Sequence, residues 1–283
     1  MESDKLETLF LLLHGEQHMR NGLRLAGCGM LVGVIACWSL VGVGQDASAA
    51  HSADTPAVPS TSAPLSVDEV VRNLQQRNAE RSAALEKYES TRVYGMRYRG
   101  FPSDHSADMV VHMDYQAPSS KEFSIVSQSG LKFIIDHVFK KLLEAEKEAA
   151  ANEESRRRTA LTAENYNFSM AGFEPSQEGG QYVLNLAPKV KNKFLYRGKI
   201  WVDAKDFAVV KIKGEPGVNP SFFIKKTDIE HTYQKVGDFW LPAENRTESV
   251  IRLGGVAHLS IEYKDYKILK AEALNHSEAA LAK

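Results

Sequence analysis

Cysteine is nearly absent. The chain has two, Cys28 and Cys37, both within its first forty residues. Beyond them there is no thiol, which excludes a disulfide framework, a thiolate metal site and a cysteine nucleophile. An excess of one charge is absent as well: 35 Lys and Arg against 36 Asp and Glu leave a net charge of −1. Nucleic-acid binders usually carry a basic patch or stripe, and the charge balance offers no argument for one. Beyond the N-terminal segment the phosphate-binding and dinucleotide-binding glycine patterns, the G-x-S-x-G elbow and paired Cys/His metal spacing are all missing. "HGEQH" sets His14 and His18 four apart, but its glutamate is misplaced for the zinc-protease pattern. The later histidines are scattered singly; His112, His231 and His258 fall within strand patterns, where a lone histidine is far more often satisfied or exposed than a ligand. A site assembled from distant residues stays open, since triads are built that way.

The N-terminus speaks to location. "MRNGLR" at 19–24 is a short positive run, and Leu25 to Gly44 carries no charge. Ala47-Ser48-Ala49 then gives the small-x-small pattern of a signal-peptide cleavage site. The expectation is export, cleavage after Ala49 and a periplasmic protein. The alternatives are an uncleaved N-terminal helix, because about twenty apolar residues span a bilayer, or lipidation at Cys37. Residues 50–65 are rich in Ala, Pro, Ser and Thr, a flexible linker with little to bury. Four segments result: 1–49 as extension and signal peptide, 50–65 as linker, 66–270 as the folded domain, and 271–283 as a tail.

Ser66-Val-Asp-Glu69 predicts a capping box, followed by Val67, Val70, Val71 and Leu74 at helical spacing and continuing toward Leu85 and Tyr88. From about residue 91 the period is two, giving three short strands. Leu131, Ile135, Val138, Leu142 and Ala145 then form a helical stripe, and that helix runs to about Arg158. Its basic end, Arg156 to Arg158, predicts a solvent face that complements the helix dipole. After residue 163 strands follow one another with turn signals and no intervening helix, which predicts an antiparallel meander. Asp203 and Asp206 lie between two alternating apolar runs. They look like an acid/base pair, but Asp is a standard turn residue, and the spacing predicts a hairpin turn.

Methionine stands out on the strand faces. Met96, Met109, Met113 and Met170 all keep register with apolar neighbours, and methionine suits surfaces that accept varied apolar partners. They would fill a sheet core equally well. A large antiparallel sheet covered by one or two helices, however, leaves apolar surface that a ligand could cover.

"RGKIWVDAKDFAVVKIKGEP", "VGDFWLPAENRTES" and "LSIEYKDYKI" resemble the C-terminal half of bacterial outer-membrane lipoprotein-sorting proteins, of the lipoprotein-localisation superfamily with the LolA/LolB-like fold. The order G-x-I-W-V-D, W-L-P and Y-x-D-Y carries the resemblance, from about residue 180 to 268, with a weaker likeness over 66 to 160. It implies a mainly β, α+β chain: an incomplete, strongly curved antiparallel barrel with helices plugging its open face. It further implies an apolar cavity for acyl chains of a lipid or lipoprotein, transient membrane contact, an envelope protein partner, no cofactor and no catalytic residue. The long helix at 131–158 and the divergent N-terminal strands depart from the better-known carriers and leave the cargo open. The same fold serves as a sensor domain in envelope regulators, so a sensor or scaffold is the alternative. A hydrolase would need a histidine with a nearby carboxylate facing a pocket.

The strand positions nominated to contact ligand are Tyr94, Met96 and Tyr98; Met109, Val111 and Met113; Phe123 and Ile125; Phe168 and Met170; and Leu184, Ile200, Val210, Ile212, Leu259 and Ile261. If they line an open cavity, Met109→Glu and Met113→Glu should abolish fatty-acid binding at a small cost in stability.

Overall fold

A capping box starts the first helix, α1 (Val67–Ala84): the Ser66 hydroxyl accepts from the Glu69 amide, and the Glu69 carboxylate accepts from the Ser66 amide at 2.9 Å. The computed structural model describes residues 65–175, 179–252 and 254–274. The export segment with both cysteines, the His14/His18 pair, linker residues 50–64 and tail residues 275–283 lie outside the described residues. Among the described residues no helix is long and apolar enough to cross a membrane.

Helix α1 ends at Ala84, short of the expected continuation. Leu85 and Tyr88 belong to β1 (Leu85–Arg99), whose inward positions include Ser90 and Arg92. These polar residues break the apolar alternation, which is why the strand reads late in the sequence. After it come β2 (His105–Gln116) and β3 (Ser120–Gly130). A helical segment follows: α2 (Lys132–Ile134), a π-helical turn (Ile135–Phe139), α3 (Lys140–Ala151) and α4 (Glu153–Thr159). The expected single helix is broken at Asn152, whose extended backbone ends α3 and whose side chain caps α4 by accepting from the Ser155 amide. The π turn sets Ile134, Ile135, Val138 and Phe139 together on the buried side.

The meander is β4 (Tyr166–Glu174), β5 (Gln181–Pro188), β6 (Tyr196–Asp203), β7 (Val209–Pro216), β8 (Ile224–Val236), β9 (Phe239–Ile251) and β10 (Val256–Ala271). All ten strands form one antiparallel sheet in the order β3-β2-β1-β10-β9-β8-β7-β6-β5-β4. The sheet is not closed. β3 and β4 are its two edges, and the chain joining them is the helical segment. The result is an incomplete antiparallel barrel with helices.

Three irregularities explain the sequence strings behind the resemblance. In Y-x-D-Y, Asp265 adopts φ 53° opposite a register shift in β1, so Tyr263 and Tyr266, three apart, both face the covered side. In W-L-P, Pro242 has no amide to give and sits at a register shift against Tyr233; its carbonyl accepts from Gln234 Nε2 and the Tyr266 hydroxyl. In G-x-I-W-V-D, a Cβ on Gly198 would lie 2.2 Å from the Lys213 carbonyl oxygen, so β6 and β7 approach each other only with glycine there.

Asp203 and Asp206 form a turn. Asp203 Oδ1 accepts from the amides of Lys205 (3.0 Å) and Asp206 (2.7 Å). Asp206 extends the arrangement outward: its carboxylate accepts from Lys235 Nζ at 2.5 Å and Trp240 Nε1 at 2.8 Å, and its carbonyl accepts from Arg81 at the end of α1. Asp203→Asn should therefore cost about 0.5–1.5 kcal/mol and Asp206→Asn about 1.5–3 kcal/mol, since charged partners strengthen a hydrogen bond. Urea unfolding of the two single variants checks the order; equal losses would contradict it.

Candidate functional site

The covered face of the sheet divides into three apolar clusters. The first packs Val70, Val71 and Leu74 of α1 on Leu184, Ile200 and Ile212, with Phe168 at its margin. The second packs Ile135, Val138, Phe139 and Leu142 on Tyr94, Met109 and Val111, with Met96, Phe123, Leu259 and Ile261 partly buried beside them. The third joins Leu85, Tyr88, Met113, Phe239 and Leu241, with Phe123 reaching it as well.

The nominated positions therefore do not meet around one space. Met109 and Met113 are fully buried at 0 % exposure, Met109 beneath helices. Val210 falls outside the clusters because a register shift in β7 gives its inward place to Val209. Tyr98 donates its hydroxyl to the carbonyls of Phe101 and Gly254 at a loop end. Ile125 on edge strand β3 is 43 % exposed, and Met170 on edge strand β4 is 37 % exposed.

Between the clusters lies a polar group that no apolar pattern marks. Arg92 of β1 is buried, with its guanidinium about 5 Å from the ring centroids of Phe123 (5.1 Å) and Tyr263 (5.0 Å). It donates to Glu146 of α3 at 2.6 Å, and Lys121 of β3 donates to the other carboxylate oxygen at 2.7 Å. All three residues are buried. Burial acts to raise the Glu146 carboxyl, but Arg92 and Lys121 overrule it and hold the group at about 2. Burial pushes the Lys121 ammonium down. Two cations share one carboxylate, so the cluster carries a net positive charge. Arg92 Nε and the nearby Ser90 hydroxyl are buried without a hydrogen-bond partner.

An open cleft borders this group. It is small, with a volume of about 80 Å³, below the roughly 300–1,000 Å³ of sites that enclose a whole small molecule. One wall is Trp240, Leu241 and Pro242 of β9 with Tyr233 of β8; the base is Leu85 and Tyr88 of β1; the other wall is Tyr115, Pro118, Ser119 and Lys121, closed by Ala150 and Arg156. The whole W-L-P string lines it. Tyr88 and Tyr115 pack ring to ring at 4.9 Å. Arg156 was expected on a solvent face with Arg157 and Arg158. Those two are exposed, whereas Arg156 turns inward, half-buried, and donates to the Ala150 carbonyl.

Among the described residues His258 has the nearby carboxylate and the recess that a hydrolase would need. His231 is buried against the Tyr196 ring, and burial lowers it to about 4, so it is neutral. His258 Nδ1 lies 3.4 Å from Glu248 in an open recess on the face away from the helices. The nearby Ser260 hydroxyl points to the Gly95 carbonyl at 3.5 Å, and the backbone on both sides is engaged in strand pairing. Glu89, His112 and Asp114 have ligand atoms within 4.8 Å of one another, but Glu89 already accepts from Lys267.

No family model matches the chain, and no curated protein matches it. Solved structures to which it is similar include a DUF1329 family protein from Desulfovibrio piger (11 % identity, 73 % of this chain and 95 % of that chain, TM-score 0.36). A putative outer membrane lipoprotein-sorting protein domain from Vibrio parahaemolyticus is 10 % identical over 74 % of this chain and 95 % of that chain, with a TM-score of 0.35. A LolA superfamily protein from Nitrosomonas europaea is 10 % identical over 75 % and 96 %, with a TM-score of 0.31. These names agree with the resemblance in the sequence strings. Likenesses this distant carry no functional argument.

Proposed function

We propose that this protein is an exported, non-enzymatic carrier that holds an acyl chain of a lipid or lipoprotein. The observation that carries the reading is the cleft walled by Trp240, Leu241, Leu85, Tyr88 and Tyr115, which opens onto the third apolar cluster. Aromatic and aliphatic walls of this kind stabilise a bound chain by removing its surface from water, at roughly 25 cal/mol per Å². Of the nominated positions, Met113 and Phe123 belong to the cluster beneath the cleft; the first cluster serves as core under α1. The export segment and cleavage after Ala49 set the carrier in the periplasm, where it would meet a membrane transiently and an envelope protein as donor or acceptor.

The test is mass spectrometry of whatever copurifies with the exported protein, paired with titration of a dansyl-labelled fatty acid. A bound lipid, together with loss of the dansyl signal in Trp240→Ala, is the expected result. A clean protein that ignores the dansyl probe but forms a stable complex with an envelope protein would replace the carrier with the scaffold.

A further inference from the structure

Four hairpin loops at one end of the sheet are tied into a single rim. The Tyr98 hydroxyl donates to the carbonyls of Phe101 and Gly254, which joins loop 100–104 to loop 252–255. The Arg252 amide donates to the Phe223 carbonyl and the Gly217 amide to the Leu195 carbonyl, which adds loops 217–223 and 189–195. Large apolar side chains stand out from this rim: Phe222 is 79 % exposed, Phe101 75 %, Val190 58 % and Val218 38 %. The turns at the opposite end, 117–119, 204–208 and 237–238, hold no exposed large apolar residue. The rim is also basic. Its loops contain Lys189, Lys191, Lys193 and Arg252, all exposed, against the single acid Asp104, whose carboxylate accepts from the Gly100 amide. The Arg252 guanidinium lies 5.3 Å from the Phe222 ring centroid. Glu215, just beyond the rim, is the cross-strand partner of Arg197.

We infer that this rim docks onto an anionic phospholipid bilayer, with Phe101 and Phe222 entering the headgroup boundary and Lys191, Lys193 and Arg252 meeting lipid phosphates. The boundary removes the two rings from water, and an anionic leaflet attracts cations held at its surface. A protein partner fits less well, because the cores of protein interfaces are depleted in lysine, whereas lysines stand among these apolar tips. The cleft lies at the other end of the sheet, against the 117–119 turn, so docking leaves it uncovered. The inference gives a surface to the membrane contact of the carrier reading but uses none of the cleft's residues, so each can fail alone.

The test is co-sedimentation of the exported, processed protein with vesicles of phosphatidylcholine, either alone or with about three-tenths phosphatidylglycerol. The anionic vesicles are expected to bind about tenfold tighter or more, and salt at about 1 M should remove most of that difference. Phe101→Ser with Phe222→Ser should weaken binding to anionic vesicles about tenfold or more, and Lys191→Gln with Lys193→Gln by a similar factor. Both pairs are exposed, so thermal unfolding should stay at the parent's level. Failure to bind either vesicle would overturn the inference and leave the carrier standing, since the dansyl titration reads the cleft separately. Equal binding of both vesicles would overturn the anionic partner. Anionic-vesicle binding that survives both substituted pairs would overturn the assignment to this rim.

Discussion

Glu146→Ala is expected to destabilise the protein by about 3–5 kcal/mol, because it strands two buried cations without their counterion. Arg92 is fixed between Phe123 and Tyr263, and Lys121 is buried where its ammonium meets Glu146, although its side chain borders the cleft. Replacing all three together, as Arg92→Met, Lys121→Met and Glu146→Leu, should recover most of the loss, since buried ion clusters often exchange for apolar residues at little cost. Acid supplies an independent check. The folded Glu146 carboxyl titrates at about 2, below its ordinary value of 4.5. Its contribution is therefore complete above about pH 4.5 and is lost as pH falls from there toward about 2. Urea midpoints at about pH 6 and about pH 3 should differ more for the unaltered protein than for Glu146→Gln. A Glu146→Ala protein within about 1 kcal/mol of the parent would mean that water reaches the cluster.

Met109→Glu is expected to cost several kcal/mol and to leave little folded protein, because a carboxylate would be buried without a partner. Met109 has no exposed surface and lies among Tyr94, Val111 and Phe139, with the Tyr94 and Phe139 rings 5.7 Å apart. Met109→Leu keeps the volume and should cost less than about 1.5 kcal/mol. Circular dichroism melts of the two variants separate the outcomes. A Met109→Glu protein that melts like the parent would mean that the helices over β2 yield readily to water. This reverses the small cost expected for an open cavity. Met109 and Met113 lie on a buried apolar face, whereas Met170 is exposed on edge strand β4, and a strand pattern does not say whether a helix or solvent lies above a face.

The same limit explains what else was legible. The capping box at Ser66, the Asp203 turn and the antiparallel strand succession after residue 163 follow from local chemistry, which is written in the sequence, whereas the open barrel was implied by the resemblance alone. Arg92, Lys121 and Glu146 were not found, since each looks like an ordinary exposed charge within its own segment. Their meaning arises only when β1, β3 and α3 meet. Arg156 was hidden for a related reason: a break at Asn152 re-aims its helix, and the reading ran one helix straight through. The W-L-P string was visible as a resemblance, but its placement along the cleft depends on the register shift at Pro242. The spacing of Ser90 and Arg92 held one further signal. Two polar residues at inward positions of an otherwise apolar strand face mark a buried partner waiting elsewhere in the chain.

The strand order has a consequence for how the chain assembles. β1 to β3 and β4 to β10 are each built from hairpins between successive strands, which close over short loops. The seam between β1 and β10 alone joins distant chain: Ser260 and Gly95, which meet there, are 165 residues apart. Most of the topological delay in folding is concentrated on that one junction, because long-range pairing must close a large loop before its contacts reward it. Until it closes, each meander presents a bare strand edge to any neighbour. Arg92 comes from one side of the seam and Tyr263 from the other, so the stacking that holds the buried cation completes only with the last docking step.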